Sequence, residues 1–65
     1  MMGAAGVYRS EQGKIWRVME ASDGQLSVQV YLEGEWVPGP IRMVGLRLSS
    51  GTKKLSAQAI AKLPA

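Results

Sequence analysis

Residues 22–37 read SDGQLSVQVYLEGEWV, and this run carries the clearest structural signals in the chain. Apolar and polar residues alternate strictly over residues 25–32, which is the period of a strand with one buried face. An Asp-Gly pair precedes this strand and a Glu-Gly pair follows it. Glycine accepts the positive φ of a tight hairpin turn without cost. The run therefore predicts a central antiparallel strand between two hairpins.

Two-residue loops at both turns would fix the register of three neighbouring strands. In that register Trp16 faces Tyr31, and Tyr31 faces Trp36, so an aromatic row crosses one face of the sheet. Around it lie Lys14, Val18 and Gln29. The opposite face would be aliphatic and would take the C-terminal helix. That face is expected to hold Ile15, Arg17, Met19, Ala21, Leu26, Val28, Val30, Leu32 and Val37.

The segments on either side of this run are shorter and less regular. Residues 7–10 predict a short first strand, and residues 14–21 predict the strand before the Asp-Gly turn. A further strand begins at Glu35 and must end or bend at the Pro-Gly-Pro sequence of residues 38–40. Residues 41–48 fit either a strand or a helix. We favour a strand, because Gly45 inside a helix costs about 1 kcal/mol relative to alanine.

The end of the chain has high helix propensity from Ser56, a good N-cap residue, to Leu63. We therefore predict an α+β fold: a three- or four-stranded antiparallel β-meander with a short C-terminal helix over residues 56–63. Residues 1–6 are expected to be a disordered leader, and residues 7–65 a single small domain. Short strands with tight turns are similar to those of SH3-like small barrels, which are the alternative fold and imply no function.

Composition narrows the possible chemistry. The 65 residues include no Cys and no His, which removes disulfides, the common soft-metal ligands, the commonest general base and the thiol nucleophile. We expect a non-enzymatic protein with no cofactor and no metal. No run approaches the ~20 apolar residues that span a bilayer, and no signal peptide is evident, so we expect a cytoplasmic protein without membrane contact.

The loop over residues 49–54 contains Gly51 followed by Thr52, Lys53 and Lys54, but it lacks the spacing of a phosphate-binding P-loop. We interpret it as a flexible loop. Its two lysines are expected at most to contact phosphates without reading sequence.

Three roles are open for the predicted aromatic row: burial in the core beneath residues 41–48, self-association, or a stacking platform for single-stranded nucleic acid. A core this small rarely supplies more than ~3–5 kcal/mol, which favours oligomerisation. We expect a binding module that acts through protein–protein contact as a homodimer with a further, unknown protein partner. The alternative is a nucleic-acid-binding protein, since the net charge is +3. An enzyme assembled around a shared central pore ranks third. The candidate surface residues are Lys14, Trp16, Arg17, Tyr31, Trp36, Arg42 and Arg47.

Overall fold

The computed structural model describes residues 3–64, which form an antiparallel five-stranded sheet and two short helices. The elements are, in chain order, β1 (Gly6–Arg9), β2 (Ile15–Glu20), β3 (Leu26–Leu32), β4 (Glu35–Pro38), α1 (Met43–Leu46), β5 (Lys53–Lys54) and α2 (Ala57–Ala61). The strand order is β4-β3-β2-β1-β5. An antiparallel sheet of the α+β class was predicted and is confirmed. The prediction of three or four strands missed β5, which pairs with the distant β1.

The leader predicted over residues 1–6 lies partly outside the described residues. Within the described part, Gly6 opens β1, and the carbonyl of Ala4 accepts a hydrogen bond from the Tyr8 hydroxyl at 2.8 Å. Ala4 also packs against the core.

The hairpin between β3 and β4 has the predicted two-residue loop. Glu33 (φ 51°) and Gly34 (φ 82°) both have positive φ, as a type I′ turn requires. Tyr31 lies opposite Trp36 and Val30 lies opposite Val37. The predicted register of this hairpin is confirmed.

The hairpin between β2 and β3 has three loop residues rather than two, so its predicted register is wrong. The Ala21 amide donates to the carbonyl of Gln25 at 2.9 Å, which closes the hairpin one residue earlier than predicted. Within the loop only Gly24 (φ 86°) has positive φ, a pattern typical of a type I turn followed by a bulge. Trp16 consequently lies opposite Val30 instead of Tyr31. A shift of one residue moves every side chain of β2 to the other face.

This shift decides which residues form the core. The core face of the sheet carries the buried side chains of Tyr8, Trp16, Val18, Val28 and Val30. The Trp16 side chain is only 1% exposed, and its ring stacks on Tyr8 with centroids 5.9 Å apart. The outer face carries the partly buried side chains of Ile15, Arg17, Met19, Gln29, Tyr31 and Trp36. The predicted division into an aliphatic face and an aromatic face is therefore wrong.

Residues 41–48 were predicted to be a strand, but they contain the single-turn helix α1. Met43 is buried in the core, and Val44 packs against it. The Met43 amide donates to the Pro40 carbonyl at 3.1 Å, which starts the helical turn directly after the proline. Burial of a methionine side chain contributes about 1.5–3 kcal/mol, which exceeds the cost of about 1 kcal/mol for Gly45.

The helix α2 begins after Ser56, whose hydroxyl oxygen accepts a hydrogen bond from the Ala59 amide at 3.2 Å. Beyond α2 the chain returns to β3, where the Tyr31 hydroxyl donates to the carbonyl of Pro64. Because Tyr31 belongs to the outer face, this contact differs from the predicted docking of the C-terminal segment on an aliphatic face. Neither α1 nor α2 has the length and apolar character that a membrane-crossing helix needs.

Candidate functional site

The outer face carries an ordered cluster of one cation and two aromatic rings. The guanidinium carbon of Arg17 lies 4.3 Å from the ring centroid of Trp36. Gln29 Oε1 accepts hydrogen bonds from Arg17 Nε, at 2.8 Å, and from Nη2. The rings of Tyr31 and Trp36 have centroids 4.8 Å apart and are tilted by 56°. The guanidinium is therefore fixed over the indole ring, in the geometry of a cation–π contact.

A second feature of this face appears only when all the strand registers are combined. Lys53 lies opposite Arg9, Arg9 opposite Ile15, and Tyr31 opposite Trp36. The β2–β3 pairing places Trp16 opposite Val30, so Ile15 is next to Tyr31. One row thus crosses all five strands, over about 19 Å at the usual strand spacing. We call it the outer row; it has two cations at one end and two aromatic rings at the other.

Two clefts lie at the end of the sheet that holds the outer row. The first has a volume of about 520 Å³ and is lined by Arg9, Ser10, Glu11, Gly13, Gly51 and Lys53. The second, of about 550 Å³, is lined by Gln12, Gly13, Lys14, Ile15, Tyr31, Leu32, Glu33, Gly34 and Pro64. Because both clefts include Gly13, they adjoin at the β1–β2 turn. The first is cationic, and the second combines aliphatic and aromatic surface.

The residues predicted from the sequence separate into three groups. Arg17, Tyr31 and Trp36 come together on the outer face, and Lys14 lines the second cleft. Trp16 lies in the core instead of in the predicted row.

Arg42 and Arg47 do not join the outer face, because α1 packs on the core face. Arg47 folds back on its own helix, and its Nη1 donates to the Val44 carbonyl at 2.6 Å. The four basic candidates, these two arginines together with Lys14 and Arg17, are therefore divided between two sides of the molecule.

Sequence reasoning missed Arg9 as a surface candidate, and it placed Lys53 in a flexible loop where it was expected at most to contact phosphates without reading sequence. Their proximity depends on the pairing of β5 with β1, which are separated by most of the chain. Lys53 and Lys54 are adjacent, but as neighbours in a strand they point to opposite faces. Only the structure distinguishes them, with Lys53 in the outer row and Lys54 opposite the core residue Tyr8.

A third surface lies on the other side of the molecule, around α1. The large apolar side chains of Ile41, Leu46 and Leu48 are 59%, 46% and 78% exposed. Gly45 lies among them, and a β-carbon added there would have no atom within 4 Å. We call these four residues the α1 patch.

Within residues 3–64, no three His, Cys, Asp or Glu side chains gather in a way that would hold a metal ion. Comparison of the chain with family models, curated proteins and solved structures gives no match. The outer face and the α1 patch are the two candidate functional surfaces.

Proposed function

We propose that this chain is a small non-enzymatic binding module that acts through protein–protein contact and forms a homodimer through the α1 patch. The observation that carries the proposal is the exposure of Ile41, Leu46 and Leu48 within one eight-residue segment. Single exposed apolar residues are ordinary, but three large ones within eight residues of a small protein are typical of a contact surface.

Gly45 supports close approach of a second chain at this surface. In the isolated chain the space around its α-carbon is open, so the fold does not exclude a side chain there. Alanine at a helix-interior position would be more stable by about 1 kcal/mol. Glycine is useful where the backbone must come close to another molecule. A partner packed closely against α1 would explain why position 45 is glycine rather than alanine, which the single chain does not explain.

The partner we favour is a second copy of the chain. Among residues 3–64, six apolar side chains are buried in the core, and a domain of this size is usually reinforced by disulfides, a metal or association. With no cysteine or histidine in the sequence, association is the route that remains. The segment is shorter than the ~20–30 residues per side of a standard interface, so we expect a weak, reversible dimer.

The proposal is tested by native mass with a matched pair of leucine variants. Leu48→Gln removes the most exposed apolar side chain of the α1 patch, whereas Leu32→Gln removes a leucine that is 52% exposed at the end of β3. We expect light scattering to show that Leu48→Gln shifts the mass toward monomer and that Leu32→Gln leaves it unchanged. Equal behaviour of the two variants would refute the assignment of the interface.

Gly45→Ala gives a second test, in which two measurements move in opposite directions. The added methyl group should raise the unfolding free energy of the monomer by up to about 1 kcal/mol. It should also weaken the dimer, because it separates the two backbones. An Ala variant with a tighter dimer would contradict close packing at Gly45.

We further propose that the sheet is an SH3-like small barrel. A four-stranded meander, a short helix after β4 and a last strand returning to β1 support this assignment. Such a fold presents binding surfaces but does not identify what they bind.

A further inference from the structure

We propose that the outer face binds single-stranded nucleic acid, with phosphates at Arg9 and Lys53 and bases on the neighbouring aromatic surface. This inference does not rest on the homodimer, because the α1 patch lies on the other side of the sheet. The surface also differs from the predicted aromatic row, since Trp16 is in the core and Arg9 was not among the candidates.

The cationic cleft supplies the phosphate-binding part. Arg9 and Lys53 lie directly opposite each other on adjacent strands, and like charges in this relation are destabilising. They line one cleft together with Ser10, Gly13 and Gly51. The cleft is open at Gly13, where an added β-carbon would have no atom within 4 Å, whereas the Glu11 side chain lies against Gly51. Glu11 also lines the cleft, so two positive charges face one negative charge. An anion bound between the two cations would relieve their repulsion.

The aromatic end of the outer row supplies the surface for bases. Tyr31 lies two strands from Arg9, a separation of about 10 Å. Tyr31 and Trp36 present adjoining rings, and the Arg17 guanidinium covers part of the indole. Bases stack on aromatic rings and equally on arginine guanidinium planes. The hydrogen bonds from Arg17 to Gln29 hold the guanidinium beside these rings, so that it adds to the stacking surface.

The two carboxylates on the strands lie at core-face positions, whereas three of the four strand cations lie at outer-face positions, Lys54 being the exception. Arg9, Arg17 and Lys53 occupy outer-face positions. Glu20 and Glu35 lie opposite Leu26 and Leu32, which are core-face positions. The outer positions of the five strands therefore carry cations and no carboxylate. This arrangement suits a polyanion, and the adjoining rings favour nucleic acid over an acidic protein segment.

Lys53 and Lys54 provide a matched pair for the experiment. They are neighbours in β5 and both exposed, but Lys53 lies in the outer row and Lys54 on the core-face side. Lys53→Gln and Lys54→Gln thus change the total charge identically and differ only in the face they alter. Each variant is first compared with the parent chain by thermal unfolding.

Binding is measured by fluorescence anisotropy of a labelled twelve-nucleotide, mixed-sequence single strand of DNA across a salt series. Each phosphate contact contributes about 0.7 to the slope of log affinity against log salt concentration. We expect Lys53→Gln and Arg9→Gln each to reduce the slope by about 0.7, and Lys54→Gln to leave it unchanged. Bound DNA should also quench tryptophan fluorescence through base stacking. Because Trp16 is buried, the quenching should come from Trp36, and Trp36→Phe should abolish it.

Three results would overturn the inference. The first is no binding at low salt. The second is an equal loss of slope in Lys53→Gln and Lys54→Gln, which would indicate attraction by net charge alone. The third is displacement of the labelled strand by polyglutamate as efficiently as by unlabelled DNA of equal charge, which would assign the surface to an acidic protein.

Discussion

Replacement of an acidic turn residue by glycine is expected to have opposite effects in the two central hairpins. Asp23→Gly removes the hydrogen bond from the Gln25 amide to Asp23 Oδ1, which is 2.9 Å long. An exposed bond of this kind contributes about 0.5–1.5 kcal/mol. Glycine also raises the entropy of the unfolded chain, at a cost of about 0.4–1 kcal/mol. We expect Asp23→Gly to lower the unfolding free energy by about 1–2 kcal/mol.

Glu33→Gly should act in the opposite direction. Glu33 has φ 51°, which costs an L-residue about 1–2 kcal/mol. Glycine removes this strain. Its greater conformational entropy in the unfolded chain offsets about 0.5–1 kcal/mol of that stabilisation. The net effect should be stabilisation by about 0.5–1 kcal/mol.

The assay is urea unfolding at a fixed protein concentration, followed by tryptophan fluorescence, to which the buried Trp16 contributes. A change of 1 kcal/mol moves the melting temperature of a domain this small by about 4–8 °C, so thermal scans provide a second readout. The opposite signs of the two stability changes follow from three loop residues at one turn and two at the other. If Asp23 stood in a two-residue type I′ turn, it too would have positive φ, and Asp23→Gly would stabilise the protein. Stabilisation by Asp23→Gly would therefore refute the observed register.

Three further substitutions test the packing. Gly39→Ala would place a β-carbon 2.7 Å from Val30 Cγ2, and we expect a loss of about 1–3 kcal/mol in urea unfolding from overpacking. Trp16→Ala should cost about 3–5 kcal/mol, as much as a core this small supplies, so circular dichroism should show an unfolded chain at 25 °C; a folded variant would contradict its role in the core. Ser56→Ala should remove about 1 kcal/mol of capping energy and accelerate hydrogen exchange at the Ala59 amide, and an unchanged exchange rate would contradict the cap.

The hairpin between β3 and β4 could be predicted from sequence because its information is local. Strict alternation identified the strand, and Glu33-Gly34 identified a two-residue loop. Together these were enough to place Tyr31 opposite Trp36. Ser56 was likewise recognised as an N-cap from its position before a helix-forming run.

The Asp-Gly turn shows where local information is insufficient. The same dipeptide fits a two-residue type I′ loop and a three-residue loop with Gly24 in the bulge position. Because side chains alternate with a period of two, that one-residue difference reverses the face of β2. It moved Trp16 into the core and Arg17 onto the outer face.

Long-range packing explains the other differences. Helix α1 forms because Met43 finds space among core residues contributed by β1, β2 and β3, which residues 41–48 do not reveal by themselves. The cationic end of the outer row depends on the pairing of Arg9 with Lys53. No periodicity in the sequence connects two residues so far apart.

Self-association through the α1 patch is most directly tested by the native mass of the unmodified chain, measured by light scattering over a concentration series at high salt. We predict a species of twice the 7.0 kDa chain mass that dissociates on dilution and persists at high salt, because the contact is apolar. A mass of one chain at every concentration would contradict the proposed homodimer.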